Sequence, residues 1–186
     1  MFSQYLNSFE KVLSETKSTL KDGVGIGLDD CFLKVNEILK ETKLTGNRIY
    51  LVGNGGSSGI VSHAAVDFLN ACGFKAHAIT DNSLLTCIAN DYGYENVFSQ
   101  PLDTLIDEND VLIAVSSSGN SMNIVNACQK AKEKGAIVLS FSGFKSDNKL
   151  RTQGDYNFWL NDMHYGRVEI GHSLLIHYIT DNLGKK

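Results

Sequence analysis

The chain has 186 residues, enough for one domain whose core needs no disulfide or metal to hold it together. Apolar residues make up 42% and charged residues 20%, the ordinary composition of a globular protein. The net charge of −4 excludes a general electrostatic attraction to nucleic acid or to an anionic membrane surface.

The cysteines and the apolar runs indicate the compartment. No C-x-x-C pair occurs, so we expect buried free thiols rather than disulfides or zinc ligands at Cys31, Cys72, Cys87 and Cys128. No apolar run reaches the roughly 18 residues that span a bilayer, and residues 1–20 lack the apolar stretch of a signal peptide. The expected location is therefore the cytoplasm.

The first 45 residues are predicted to form two amphipathic helices, because apolar side chains recur at helical spacing over residues 2–20 and over 28–43. The glycines between positions 22 and 27 predict the break between these helices. The pair carries more apolar surface than one α/β layer uses, which indicates packing against another subunit.

Strands and helices alternate from residue 46 to residue 186, in what we interpret as one domain with the N-terminal helices. Short apolar strands are predicted at 49–52, 76–79, 111–115, 136–141 and 156–160. Helices are predicted at 57–72, 83–91, 121–134 and 166–183. This pattern predicts a parallel five-stranded sheet flanked by helices on both faces, a three-layer α/β sandwich. Pro101, the single proline, is predicted to mark a turn.

Two loops rich in small polar residues follow the strands at 49–52 and 111–115. The first is Gly53-Asn54-Gly55-Gly56-Ser57-Ser58, and the second is Ser116-Ser117-Ser118-Gly119-Asn120-Ser121. Each precedes a predicted helix, whose first-turn N–H groups lack partners and carry partial positive charge. Hydroxyls and amides without a lysine predict a cradle for a phosphate ester at the carboxyl ends of the strands.

Two other interpretations of these loops compete with the phosphate cradle. The spacing Gly53-x-Gly55-x-x-Ser58, with Asp81 at the end of the next strand, approximates the dinucleotide fingerprint. Ser58 in place of the third glycine, and a second loop with no role in that fingerprint, weigh against it. In the other interpretation Ser118 or Ser121 only caps a helix, which does not explain four serines together.

Imidazoles and carboxylates recur on two of the predicted helices. His63 and Asp67 are four residues apart and share one helix face. Glu169 and His177 lie about 80° apart around the axis of the last helix, and His172 is a weaker candidate. These groups can form a tetrahedral metal site or an acid–base pair, or they are ordinary surface residues. Asn90-Asp91-Tyr92-Gly93 is predicted to end a short helix with a turn.

The motifs together resemble the sugar isomerase (SIS) superfamily, and within it the phosphoheptose isomerase family. The matching stretches run through most of the chain beyond residue 48: Gly53–Ser57, His63 four before a carboxylate, Ala89–Gly93, Ser116–Ser121 with Asn123-Ile124, and His172 with His177. The resemblance implies a homotetramer with active sites at subunit interfaces. It also implies conversion of sedoheptulose 7-phosphate to D-glycero-D-manno-heptose 7-phosphate for lipopolysaccharide or capsule.

The resemblance implies roles for individual residues. Substrate contacts would come from Asn54, Gly55, Gly56, Ser57, Asp67, Asn90, Asp91, Ser116, Ser117, Ser118, Ser121 and Glu169, with the four serines holding the phosphate. One zinc ion per subunit would be held by His63, Asp67, Glu169 and His177. Asp67 and His177 would also be the acid–base residues.

The chain departs from the family pattern at two of these positions. Asp67 replaces the family's glutamate, which shortens the side chain by about 1.5 Å, and Glu169 replaces its glutamine. Residues 70–75 are also shorter and less basic than in typical members. A related sugar phosphate as substrate, or a non-catalytic SIS module that binds a sugar phosphate or a protein, therefore stays open.

Overall fold

A mixed sheet of seven strands runs through the part of the chain that the computed structural model describes, residues 1–184. The strands are β1 (Lys17–Leu20), β2 (Gly25–Ile26), β3 (Arg48–Gly53), β4 (Lys75–Ala78), β5 (Val111–Ser116), β6 (Ile137–Ser142) and β7 (Tyr156–Trp159). Their spatial order is β2-β1-β7-β6-β5-β3-β4. Strands β3 to β7 are mutually parallel, which confirms the five predicted parallel strands. The prediction of a purely parallel sheet is corrected, because β1 and β2 add two antiparallel strands.

The prediction of one helix over residues 2–20 is wrong, because β1 and β2 form an antiparallel hairpin there. The N-terminal segment is therefore a helix, a hairpin and a second helix, not a pair of helices. Helix α1 (Phe2–Ser14) ends before the hairpin, and β1 pairs antiparallel with β7. The four residues of β1 also fit a helical pattern, so the sequence alone favours continuing the helix. The extended conformation of β1 prevails because its pairing with β7 satisfies the backbone N–H and C=O groups along the free edge of β7.

The remaining helices cover the sheet as predicted, with one addition. They are α2 (Leu28–Thr45), α3 (Gly56–Val66), α4 (Asn82–Tyr92), α5 (Ser99–Leu105), α6 (Met122–Glu133) and α7 (Tyr165–Leu183). Helix α3 continues into a π-helical turn, Asp67–Ala71. Helix α5 was not predicted, and Pro101 lies buried in its first turn rather than in a free turn. A first-turn proline costs no helical hydrogen bond, because the N–H groups there have no intrahelical partner.

The core lies in two layers, one on each face of the sheet. Alternate residues of one strand face opposite layers: Ile49 and Leu51 pack with α2, α3 and α7, whereas Tyr50 and Val52 pack with α5 and α6. The central strands are therefore apolar on both faces, as is usual for a parallel sheet covered by helices. None of the helices within residues 1–184 is long and apolar enough to cross a bilayer.

The four cysteines are free thiols, as predicted. Three are buried, as expected, but Cys87 is exposed, so the expectation of burial is wrong at that position. Burial raises the pKa of the Cys31 thiol to about 11 and that of Cys128 to about 12. These two thiols are therefore protonated and unreactive at neutral pH.

The sheet places the two polar loops side by side. Strand β3 lies between β4 and β5, and the chain runs outward in opposite directions from the β3–β5 pair. Gly53, the last residue of β3, pairs with Val115 near the end of β5. Both loops therefore begin at the topological switch point, where ligands of open α/β sheets bind.

Candidate functional site

A cavity of about 230 Å³ opens at this switch point. Its walls come from the two loops and from the first turns of α7: Asn54, Gly55, Gly56, Ser57, Ser116, Ser117, Ser118, Ser121, Tyr165 and Glu169. Nine of the twelve predicted substrate-binding residues are thus brought together.

Within the described chain the hydroxyls of the second loop keep their O–H groups free to donate to a ligand, although the Ser116 Oγ accepts from the Gly119 N–H at 3.2 Å and the Ser118 Oγ from the Asn120 N–H at 3.3 Å. The Ser117 Oγ is buried and has no hydrogen-bond partner within the described chain. Ser121 occupies the N-cap position of α6, but its side chain makes no capping hydrogen bond. The capping interpretation therefore does not account for these serines, because a buried polar group without a partner is costly unless a ligand or water completes it.

The structure also gives another role to Asp81, the acidic residue that a dinucleotide site would use to bind the ribose. Asp81 is the N-cap of α4 and accepts a hydrogen bond from the Leu84 N–H at 2.8 Å. That helix start, rather than a ribose, accounts for the carboxylate.

The buried side chain of Asn148 constrains the second polar loop, Ser116–Ser121, which we call the serine loop. Gly119 has φ +63°, and a Cβ at this position would overlap the side-chain amide of Asn148. The Asn148 Nδ2 donates to the carbonyl oxygens of Gly143 at 3.0 Å and Lys145 at 2.8 Å. The Gly143 N–H in turn donates to the Ser117 carbonyl at 3.0 Å. The loop that follows β6 therefore fixes the conformation of the serine loop, which follows β5.

Asn54 is oriented by a network of side-chain amides. Asn54 and Asn123 donate to each other's Oδ1 at 2.9 Å in both directions. The Tyr94 hydroxyl also donates to the Asn54 Oδ1, at 3.1 Å. Asn123 is buried, so this pairing fixes the position of Asn54 at the edge of the cavity.

Three of the four predicted metal ligands converge on one carboxylate oxygen. The Asp67 Oδ2 lies 3.5 Å from the His63 Nε2 and 3.2 Å from the His177 Nδ1. The potential ligand atoms of all three side chains lie within 4.8 Å of one another. Among residues 1–184 the Oδ2 is buried and makes no well-formed hydrogen bond. An orphaned carboxylate oxygen facing two imidazoles fits a divalent cation with N/O ligands, and it equally fits an acid–base pair.

The structure places the other predicted site residues apart from this group. Glu169 lines the cavity at Gly56 and is not within 4.8 Å of all three side chains. Glu169 precedes His177 by eight residues, and this separation corresponds to about 12 Å along a helix axis. Asn90 and Asp91 are exposed at the end of α4 and, like Asp67, do not line the cavity.

One aromatic residue that the sequence interpretation missed lines the cavity, and a second packs against it. Tyr165, the first residue of α7, lines it and packs edge-on against Phe144, with ring centroids 4.8 Å apart. Phe144 has φ +54°, an outlier for a bulky residue, and its N–H donates to the Asp162 carbonyl at 3.0 Å. The signal available in the sequence was an aromatic residue at the start of the last helix.

A buried ion pair anchors the start of α7. Asp162 is nearly fully buried, and its carboxylate accepts two hydrogen bonds from Arg167 and one from the His164 N–H at 2.9 Å. Burial alone would raise the pKa of Asp162, but these donors outweigh it and the net pKa is lowered. The pair therefore stays charged and holds the turn from which Tyr165 and Glu169 project.

His172 belongs to the core rather than to the site. Its side chain is fully buried against β6, and its Nε2 lies 3.0 Å from the Ser142 carbonyl oxygen. The Nδ1 has no partner within the described chain. Burial lowers the pKa of His172 to about 4, so this imidazole is neutral at physiological pH, and it is not one of the three residues whose potential ligand atoms cluster within the described chain.

The buried His172 predicts a specific loss of stability in acid. Its pKa is about 4 when folded, against about 6.5 when unfolded, so the unfolded state takes up the proton first as the pH falls. Between pH 6.5 and 4 the wild-type protein should lose about 3 kcal/mol more unfolding free energy than the His172→Gln variant. Urea unfolding of both proteins across this range measures the difference, and parallel pH profiles would contradict it.

Comparisons with known proteins agree with this architecture. The SIS domain family model matches residues 4–143. The phosphoheptose isomerase of Helicobacter pylori strain P12 is 33% identical, and the match covers 97% of this chain and 90% of that protein.

Two solved phosphoheptose isomerases share the fold. The structure from Neisseria gonorrhoeae has a TM-score of 0.85 at 27% identity and covers 98% of this chain and 96% of that one. The structure from Francisella tularensis has a TM-score of 0.86 at 22% identity, and the match covers 100% of this chain and 97% of that one.

The fold and the cavity define an α/β protein whose polar loops meet at the switch point of a largely parallel sheet. The match to the family model, and the similarity to a relative over nearly the whole length of the chain, identify the family within this class. The chain belongs to the SIS domain family, in the group of the phosphoheptose isomerases.

Proposed function

We propose that the chain is an aldose–ketose isomerase that converts sedoheptulose 7-phosphate to D-glycero-D-manno-heptose 7-phosphate in bacterial heptose biosynthesis. The observation that carries this proposal is the convergence of His63, Asp67 and His177 in a chain whose relatives are named phosphoheptose isomerases. The serine-lined cavity supplies a place for the phosphate.

The serine loop would bind the phosphate and the adjoining groups would orient the sugar. Ser116, Ser117, Ser118 and Ser121 can donate hydroxyl hydrogen bonds to phosphate oxygens, and the N-terminal end of α6 adds partial positive charge. Asn54 would present its amide to a sugar hydroxyl, since Asn123 fixes its orientation. We also retain Gly55, Gly56, Ser57, Asn90 and Asp91 as proposed substrate contacts.

Isomerisation requires a proton to leave C1 of the ketose and a proton to be added at C2, through an enediol. We assign the base to the Asp67 carboxylate and the acid to the His177 imidazole, whose Nδ1 lies 3.2 Å from the Asp67 Oδ2. A carboxylate and an imidazole in contact can take and return protons near neutral pH.

A divalent cation, zinc in the family that the sequence resembles, is also part of the proposal. His63, Asp67 and His177 would hold it, since their ligand atoms cluster and the Asp67 Oδ2 lacks a hydrogen-bond partner in the described part of the chain. Such an ion supplies Lewis-acid polarisation of a substrate oxygen. Glu169, implied as a fourth ligand by the resemblance, would have to come from a second protomer or move from its position at Gly56.

A homotetramer with sites at subunit interfaces is the proposed assembly. Helix α7 exposes Ile170, Leu174 and Tyr178 at four-residue spacing, next to the half-exposed His177. An apolar stripe of this kind beside an acid–base group fits contact with a second copy. The mass in solution, measured by light scattering, tests the assembly, and a monomer would contradict it.

Purified protein is expected to convert sedoheptulose 7-phosphate and to lose most of this activity after chelation, with recovery on adding zinc. A coupled assay across five- to seven-carbon ketose phosphates measures the activity, and the chelated and reconstituted samples test the metal. Turnover of a different ketose phosphate alone would move the proposal to another substrate. Absence of turnover on all of them would favour a non-catalytic sugar-phosphate-binding module.

The cytoplasm remains the proposed location. The free state of all four cysteines supports it, because thiols persist in a reducing compartment. Fractionation of cells that express the protein tests this location.

A further inference from the structure

The side-chain oxygen of Asn54 is fully used within the protein. A carboxamide oxygen accepts two hydrogen bonds, and the Asn54 Oδ1 accepts from the Asn123 Nδ2 at 2.9 Å and from the Tyr94 hydroxyl at 3.1 Å. The Asn54 Nδ2 carries two N–H groups and donates one of them to the Asn123 Oδ1, also at 2.9 Å. Among residues 1–184 the other N–H has no partner, so it is what this side chain offers to a ligand in the cavity that it lines.

A backbone group decides which end of each carboxamide faces the other. The Asn123 Oδ1 accepts from the Ile124 N–H at 3.0 Å, and because an N–H can only donate, the atom that faces it must be the oxygen. The Ile124 N–H also donates to the Ser121 carbonyl, at 3.0 Å, so it is held in place by the first turn of α6. With its oxygen fixed in this way, Asn123 turns its NH₂ group toward Asn54. Asn123 is buried, and a reversed Asn54 carboxamide would leave two donors facing each other there, which is costly.

The hydrogen-bonding polarity of Asn54 is therefore set by two other segments of the chain. Asn123 lies in the first turn of α6, and Tyr94 lies in the 3₁₀ turn that follows α4. Neither residue lines the cavity of the serine loop, but both line an adjoining cavity of about 510 Å³, together with Asn54. The serine hydroxyls can donate or accept, whereas Asn54 in this orientation can only donate. Its free N–H therefore pairs with a ligand oxygen that has a free lone pair and cannot pair with an ammonium group.

We propose that Asn123 and Tyr94 are positioning residues, which hold the Asn54 carboxamide so that its free N–H donates to an oxygen of the bound sugar. This inference rests on the proposed function, because it takes the sugar phosphate as the ligand. Neither residue needs to touch the sugar, since each acts through the Asn54 side chain. Removing either one should therefore weaken binding only while Asn54 is present.

A double-mutant cycle tests this dependence. Asn54→Ala and Asn123→Ala should each raise the KM for sedoheptulose 7-phosphate about tenfold and change kcat less than about threefold, because one hydrogen bond to the bound sugar is lost or misdirected. The double variant should show the same rise of about tenfold, since Asn123 has nothing left to position. Tyr94 is 60% exposed, so Tyr94→Phe removes its hydroxyl without disturbing the core. That variant should raise the KM about threefold in the presence of Asn54 and leave it unchanged in the Asn54→Ala background.

Two controls separate positioning from a general structural effect. The affinity for inorganic phosphate, measured by calorimetry, should change less than about threefold in every variant, because the serine loop binds phosphate without Asn54. Asn126→Ala is the matched substitution on the same helix. The Asn126 Nδ2 donates to the Glu95 carbonyl at 2.9 Å, so this variant removes an amide hydrogen bond to the turn that carries Tyr94 and leaves the Asn54–Asn123 pair intact. It should keep the wild-type KM.

The outcomes distinguish this inference from the proposed function. A wild-type protein that neither binds nor converts sedoheptulose 7-phosphate refutes the proposed function, and the inference with it. If the wild-type protein converts this sugar, a double variant whose KM rises about 100-fold overturns the inference alone, because independent effects multiply and Asn123 then does not act through Asn54. An equal rise in KM in Asn126→Ala, or an equal loss of phosphate affinity in Asn123→Ala, also overturns it. Should Asn123→Ala not fold, an unchanged KM in Tyr94→Phe, or the same rise with and without Asn54, does so.

Discussion

Replacing Asp67 with asparagine is expected to lower the kcat for sedoheptulose 7-phosphate by about 10³-fold, since an amide cannot accept the proton from C1. The substitution keeps the size of the side chain and leaves an oxygen that can face His63 and His177. The serine loop lies outside this group, so the affinity for inorganic phosphate should change less than about threefold. Steady-state kinetics and phosphate titration by calorimetry measure the two quantities.

His177→Gln should lower kcat in the same way, by about 10²-fold or more, because it removes the acid. His77→Gln is the matched control: His77 is exposed on β4 and belongs neither to the lining of the cavity nor to the carboxylate–imidazole group, so its replacement should leave kcat unchanged. If the Asp67→Asn and His177→Gln variants both retain wild-type turnover, this pair does not move the protons and the assignment is wrong.

The sequence predicted the sheet well because its strands are buried on both faces and their apolar runs are unambiguous. The apolar pattern did not identify β1, because its four residues of mixed polarity fit a helical and an extended pattern alike. What decides the conformation there is pairing with β7, a contact between segments about 140 residues apart. Pro101 misled for a related reason, since a first-turn position in α5 tolerates proline as well as a turn does.

The candidate site was predicted in two halves that the sequence could not place relative to each other. Both loops meet because adjacent parallel strands end at one edge, a rule that needs no side chains. The angle between Glu169 and His177 around α7 suggested one ligand group, but the axial rise over eight residues separates them by about 12 Å. The aromatic contact of Tyr165 with Phe144 depends on a positive φ at Phe144, and nothing in the sequence signals that conformation.

Replacing Gly119 with alanine is expected to impair phosphate binding severely, raising the KM for sedoheptulose 7-phosphate by about 100-fold. Two effects combine at this position. The φ of +63° costs an L-residue about 1–2 kcal/mol, and the new Cβ overlaps the Asn148 amide. Because Asn148 is buried and bonded to Gly143 and Lys145, it cannot move aside, so the serine loop must shift instead.

A second glycine separates the two effects. Gly23, in the β1–β2 turn, has φ +79°, and no atom lies within 4 Å of the place that an alanine methyl group would occupy, so Gly23→Ala adds strain without a collision. That variant should lose about 1 kcal/mol of unfolding free energy and keep the wild-type KM. Equal losses of stability in Gly23→Ala and Gly119→Ala, with an unchanged KM in both, would show that Asn148 does not constrain the loop.

The double variant Gly119→Ala/Asn148→Ala tests the collision itself. Asn148→Ala alone should destabilise the protein, because it removes hydrogen bonds to the Gly143 and Lys145 carbonyls and from the Arg151 N–H. If the overlap with the Asn148 amide is what displaces the loop, truncating that side chain removes the overlaps with its Oδ1 and Cγ and leaves only a 2.9 Å contact with its Cβ. The two losses of free energy should then sum to more than the loss in the double variant. Urea unfolding of the four proteins gives this coupling energy, and strict additivity would mean that only backbone strain acts at Gly119.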